Sequence, residues 1–253
     1  MRSEDWVNEH WFLPEDAICP NCNKIFRDHP GVADVLEAHN ISRKQALISG
    51  GFCRCAHARD ISLHAQILRY ANIPHAQNPR NFDNFDPVPG SQDGMRIVRL
   101  WAERDDGPPI IRLSGSTGTG KSHLLEAAAR SMVAQNKLVK YEFVPTLLDR
   151  LRATQGANAE EDDLTVVGYY QAAYALILDD LGADRPTPFA QERLTSLFDA
   201  RYRQERKTAI ATNLTREKIA DQYGERLASR LYDAHSGIVE YVTMTCGDYR
   251  TGQ

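Results

Sequence analysis

The octapeptide GSTGTGKS, Gly115 to Ser122, constrains this chain more than any other stretch. It follows an apolar run, IIRLS at 110 to 114, and opens an amphipathic pattern, KSHLLEAAARSMVAQ, so a glycine-rich loop joins a predicted strand to a predicted helix. In that setting the spacing G-x-x-x-x-G-K-[ST] reads as a phosphate loop. Gly115, Gly118 and Gly120 let the backbone curl until its N–H groups face phosphate oxygens, at a helix N-terminus that favours negative charge. Lys121 is placed to reach the terminal phosphates and Ser122 to offer its hydroxyl to magnesium, while Ser116, Thr117, Thr119 and His123 complete the expected nucleotide-binding set.

Downstream, apolar runs such as LVKYEFV, YALILD and TAIATN alternate with helical patterns such as PTLLDRLRA, QERLTSLFDARYRQ, REKIADQY and ERLASRLYD. That alternation predicts an α/β domain with a parallel sheet covered on both faces. YALILDDLG runs from apolar residues into Asp179 and Asp180 at the carboxyl end of a buried strand, where open α/β sheets place their ligands. Asp179 is expected to hold magnesium and Asp180 to orient or deprotonate the attacking water. TAIATN ends in Thr212 and Asn213, a polar pair suited to holding that water, and GERLASRL sets Arg226 and Arg230 four apart on one helical face. A cation there could meet the charge that develops during phosphoryl transfer.

Upstream, residues 72 to 94 hold four prolines among asparagines and aspartates, which marks a linker. The division expected is residues 1–75 as a small N-terminal module, 76–94 as linker and 95–253 as the ATPase domain. The module shows short helical patterns, VADVLEAH and ISLHAQILRYA, and is too small to core itself without a staple. It holds Cys19 and Cys22 as C-x2-C and Cys53 and Cys55 as C-x-C, four thiolates able to close a tetrahedral zinc shell. His29, His39 and His57 compete as ligands, and a Cys3His shell through His39 or His57 stays open. An iron-sulfur cluster shares the ligand type.

With 42% hydrophobic residues, 25% charged residues and a net charge of -4, the chain is neither disordered nor a strongly basic nucleic-acid binder. Any DNA contact must come from a local patch, for which Lys140, Arg150, Arg152, Arg201, Arg203, Arg206 and Lys207 are candidates. No apolar run approaches a membrane span, and the opening MRSEDWVNEHWF lacks the pattern of a signal peptide. A cytoplasmic protein with no membrane partner is expected.

The stretches ANIPHAQNPRNFDNFD, GSTGTGKSHL, LILDDLG, ATNLT, GERLASRL and GDYR, in that order over roughly residues 70 to 250, resemble the AAA+ helicase loaders of the DnaC and DnaI type and the related IstB transposition ATPases. The resemblance implies an AAA+ P-loop core with a parallel five-stranded sheet, using ATP/ADP and Mg2+. It also implies self-association through the ATPase domain, with Arg226 or Arg230 as the arginine finger in a neighbouring subunit's site. As a loader the chain would place a hexameric replicative helicase on single-stranded DNA, in a bacterial cell and from a chromosomal or phage gene. The DnaI type carries a zinc-binding N-terminal domain that docks on the helicase, and the IstB type generally lacks one, so the cysteines favour the loader. A transposition helper of the IstB type and an ATP-sensing module with negligible turnover are the alternatives. AAA+ enzymes in general carry Glu where this chain has Asp180, and the shorter carboxylate fits slow, partner- or DNA-stimulated hydrolysis. Only 40 residues follow Asn213, too few for the full helical lid of many AAA+ proteins.

Overall fold

Strand β1, Ile110–Gly115, and the strands β2, Val139–Phe143, β3, Ala175–Leu181, and β4, Thr208–Thr212, form where the apolar runs stand. Their residues are buried almost throughout, as expected of parallel strands covered on both faces. The computed structural model describes residues 67, 70–74, 78–155, 163–183, 185–233, 235–249 and 251. The chain divides into two compact units, residues 1–70 and 71–253, and the second is the one described below. Cys19, Cys22, Cys53 and Cys55, with His29, His39 and His57, lie outside the described residues.

The sheet has five parallel strands in the order β2-β3-β4-β1-β5, with β5, Val239–Met244, at the edge beside β1. β5 mixes Glu240, Tyr241 and Thr243 with its apolar residues, so it shows no continuous apolar run in the sequence. Helix α1, Gln92–Glu103, and helix α2, Lys121–Ala134, pack together and against the strands. Ala127, Ala128 and Ala129 of α2 are buried, and their small side chains let the helix lie close to its neighbours.

Helices α3, Val144–Ala153, α4, Asp163–Ala172, α5, Pro188–Arg203, α6, Arg216–Tyr223, and α7, Glu225–Leu231, share one apolar core. Leu147, Leu151, Tyr170, Leu197, Phe198 and Leu227 meet Leu176, Leu178 and Ile210 of the sheet there. Local chemistry sets the helix starts. Thr187 accepts a hydrogen bond from Ala190 N–H ahead of Pro188, and Thr215 does the same for Lys218 N–H. α4 is amphipathic so weakly that its sequence carries no helical periodicity; its burial against α5 shows only in the fold.

Part of the stretch read as linker is packed into the second unit. A 3-10 turn at Phe82–Asn84, capped by Asn81, buries Phe82 and leads to buried Phe85. Arg80 pairs with buried Glu126 of α2, and Trp101 Nε1 donates to the Pro109 carbonyl where the chain enters β1. Among the described residues no helix is long and apolar enough to cross a membrane, and no cluster of three or more His, Cys, Asp or Glu is arranged around a metal position.

Candidate nucleotide-binding site

β1 ends in the loop Gly115–Gly120, and α2 starts at Lys121. Gly118 and Gly120 have φ of 82° and 89°, a left-handed backbone that strains any residue with a Cβ. A Cβ on Gly120 would stand 2.8 Å from the Phe85 ring, so the third glycine is demanded by packing as well. Thr119 is buried and donates to the Ser116 carbonyl at 2.9 Å, which ties the loop across itself. The Lys121 ammonium donates to the carbonyls of Gly115 and Ser116 at 2.9 and 2.7 Å, so the cation lies over the loop's first turn. His123 is turned the other way: Nε2 is 3.0 Å from both the Asn81 carbonyl and Asn84 Oδ1, and therefore carries its proton.

β4 stands between β1 and β3, so the ends of three neighbouring strands carry the loop, the acidic pair and Asn213. Ser122 Oγ donates to Asp179 Oδ1 at 3.1 Å, and Tyr141 from β2 donates to Asp179 Oδ2 at 2.6 Å. The two oxygens expected to share magnesium are thus side by side, a donor set that fits a hard divalent cation. Asp180 is the strained residue: its φ is 60°, and β3 breaks register with β4 between Leu178 and Leu181. This bulge re-aims the second carboxylate, as bulges beside active sites do. Burial pushes the Asp180 carboxyl up from its ordinary range, Asp179 beside it adds to the rise, and Lys121 opposes it.

Asn213 is exposed just beyond β4 and lines the same cleft as Ser116. Thr212, its expected companion, is buried, donating to the Leu181 carbonyl at 2.6 Å and accepting from Leu214 N–H. It fixes the end of β3 against β4, so of the expected pair only Asn213 faces the cleft. Arg226 and Arg230 both pair with the Asp199 carboxylate of α5, which is only 3% exposed; Arg226 is itself 62% exposed and Arg230 24%.

The DNA-contact candidates fare differently. Arg201 is fully buried and donates to the carbonyls of Tyr170, Gln171, Ala173 and Lys207, and Lys140 is 3% exposed. Neither can reach a nucleic-acid backbone, because a DNA contact needs a solvent-facing cation. Arg206 donates to Gln171 and Ala172 carbonyls, Lys207 pairs with Asp105, Arg150 donates to the Tyr170 hydroxyl, and Arg152 pairs with Asp149. Arg203 remains exposed at the end of α5.

Several groups at the site escaped the sequence reading. Tyr141 was hidden inside a strand pattern, and Asp199 inside a helix rich in charge. The Phe85 and Tyr249 rings meet at 5.5 Å, tilted by 53°, the Tyr249 hydroxyl donates to the Asp86 carbonyl, and Tyr249 N–H donates to the Gly118 carbonyl of the loop. The stretch before α1 and the stretch after β5 therefore meet on the loop and the first turn of α2. Both stretches are among those that carry the family resemblance, but nothing in the sequence shows that they meet.

The fold resembles the DnaC helicase loader crystal structure with a TM-score of 0.55 at 22% identity, covering 70% of this chain and 98% of that one. AMPPCP-bound DnaA from Aquifex aeolicus gives 0.56 at 23% identity, covering 66% of this chain and 51% of that one. In sequence, the replicative helicase loader DnaC of Buchnera aphidicola subsp. Schizaphis graminum is 22% identical over 153 residues, 58% of this chain and 62% of that protein. The DnaC of Buchnera aphidicola subsp. Baizongia pistaciae is 24% identical over 118 residues, 47% of this chain and 48% of that protein. The chain thus spans about half to three fifths of the curated relatives it matches. The IstB-like ATP binding protein family matches residues 54–252, which takes in the loop, both aspartates, Asn213 and the paired arginines, and the chain belongs to that family.

Proposed function

We propose that this chain is an ATP-dependent loader of a replicative DNA helicase, with slow hydrolysis switching its hold on helicase and single-stranded DNA. The observation that carries the hydrolytic part is the contact of Ser122 with Asp179, with Asp180 raised beside them on a strained bulge. The names of the DnaC relatives support the loader part.

In this reading the N–H groups of the loop bind the triphosphate and Lys121 draws charge from its terminal group. Ser122 and Asp179 would hold magnesium, which supplies charge neutralisation between the phosphates. Asn213 positions the attacking water, and Asp180 accepts its proton. Arg226 or Arg230, released from Asp199, reaches a neighbouring subunit's nucleotide. Zinc held by Cys19, Cys22, Cys53 and Cys55, or with His39 or His57 replacing one of them, would staple residues 1–75 as the helicase-docking part.

The test uses the full chain with a ring helicase and forked DNA. ATP is expected to raise helicase loading, and Lys121→Ala to abolish both ATP binding and loading. Unchanged turnover in Lys121→Ala rejects the site. A second reading, a transposition helper, is favoured by the description of the matching family. Robust DNA-stimulated ATPase with no association with any ring helicase would select it.

A further inference from the structure

Arg112 sits in the middle of β1 yet is only 7% exposed, an arginine in a strand otherwise made of apolar and small residues. Its guanidinium lies 3.9 Å from the Tyr232 ring centroid and 4.7 Å from that of Tyr241, its cross-strand neighbour on β5. Ring contacts satisfy the flat faces of a guanidinium but leave the in-plane N–H donors unused. Arg112 Nε is buried and has no hydrogen-bond partner among the described residues, and the same is true of the Tyr241 hydroxyl. Buried polar atoms are rarely left so, and two of them together point to a missing acceptor.

The location says what the acceptor is. Arg112 and Ser114 lie on the same side of β1, because side chains alternate along a strand. They line a cleft of about 600 Å³ that runs to Gly115 and Ser116 of the phosphate loop and to Asn213. Tyr232 forms one wall, Arg216 at the edge is paired with Glu225, and the facing acid is exposed Glu217. The inner end of the cleft is where a terminal phosphate would leave the loop, and the planar fork of arginine suits a tetrahedral oxyanion.

We propose that the Arg112 cleft is a second phosphate site, which takes the inorganic phosphate released at the adjoining loop. The assignment rests on the hydrolytic reading above, but phosphate binding to it does not require turnover. Bound phosphate would accept hydrogen bonds from Arg112 and would delay its own escape. The loop would then stay in a post-cleavage state for as long as the anion is held.

The experiment titrates inorganic phosphate into the full chain loaded with ADP, by calorimetry, and repeats it with Arg112→Gln and with the volume-conserving Arg112→Met. The expected result is saturable phosphate binding to the parent chain, weakened by about tenfold or more in both variants, with ADP affinity unchanged. Lys121→Ala without nucleotide is expected to keep the phosphate site. Loss of phosphate binding in Lys121→Ala would place the anion in the loop itself and overturn the proposal. Equal phosphate affinity in the Arg112 variants, or no saturable binding to the parent, would do the same. A short single-stranded oligonucleotide is the competing probe: if it binds through Arg112 and free phosphate does not, the anion is a nucleic-acid phosphate and the released-phosphate assignment fails.

Discussion

The Tyr141 hydroxyl, from the strand beside β3, donates a 2.6 Å hydrogen bond to Asp179 Oδ2 in a buried setting. Burial and the neighbouring carboxylate push the tyrosine's pKa well up, so it stays a donor at all working pH values. It takes one oxygen of Asp179 and leaves the other toward Ser122. Tyr141→Phe is expected to lower stability by about 1–3 kcal/mol, the range for leaving a buried charged acceptor short of a donor. Chemical denaturation of the nucleotide-free chain measures it; an unchanged midpoint would show that the bond contributes nothing.

Asp180→Asn is expected to retain ATP binding while turnover falls by about a hundredfold or more, the usual weight of a general base. For the parent chain, the raised carboxyl makes turnover decline on acidification at a pH above the ordinary aspartate range. The same shift has a stability consequence. A folded-state pKa above the unfolded value means that the folded state holds the proton more tightly, so stability is greatest below the unfolded pKa and is lost as pH rises through the folded one. At neutral pH the charged Asp180 therefore works against the fold, and Asp180→Asn should raise the melting temperature, helped by asparagine's tolerance of its φ of 60°.

Asp199 holds two arginines of unequal exposure, and their substitutions should separate. Arg230, the more buried of the two, packs near the Tyr202 ring at 5.5 Å, so Arg230→Ala should cost about 1–3 kcal/mol of stability. Arg226→Ala should leave the melt nearly unchanged, since Arg230 still neutralises Asp199. If Arg226 is the finger, mixing Arg226→Ala with the Asp180→Asn chain restores some turnover at shared interfaces, whereas neither protein alone turns over. Turnover retained by Arg226→Ala alone would point instead to Arg230.

Arg201→Ala should unfold the chain at markedly lower denaturant, with a cost of about 3–5 kcal/mol, because four carbonyls, at Tyr170, Gln171, Ala173 and Lys207, lose one shared cation. Arg203→Ala, at an exposed position, should leave stability within about 0.5 kcal/mol. Filter binding of single-stranded DNA to each chain distinguishes a structural arginine from one that touches nucleic acid.

The phosphate loop was legible because its chemistry is local. Glycines at 115, 118 and 120, a lysine and a hydroxyl need only a strand before them and a helix after, and residues 110 to 134 supply all of it. Asp179 and Asp180 were legible for a similar reason, since a run of apolar residues ending in two acids is a buried strand arriving at a site. The helix α4, by contrast, has no period to read, and the packed stretch from Arg80 to Phe85 has the composition of a linker.

The order of residues by itself thus determined the strand-loop-helix unit, the alternation that makes a parallel sheet, and the glycines, lysine and hydroxyl gathered at the loop. The tertiary structure alone decided which long-range partners those groups meet: Tyr141 on Asp179, Asp199 between two arginines, Arg112 beneath two tyrosines, and Arg201 in the core rather than on DNA. The physical reason is that a charge carries no mark in sequence of whether it will face water or be buried. That is settled when strands far apart in the chain become neighbours and the available acceptors are counted in space.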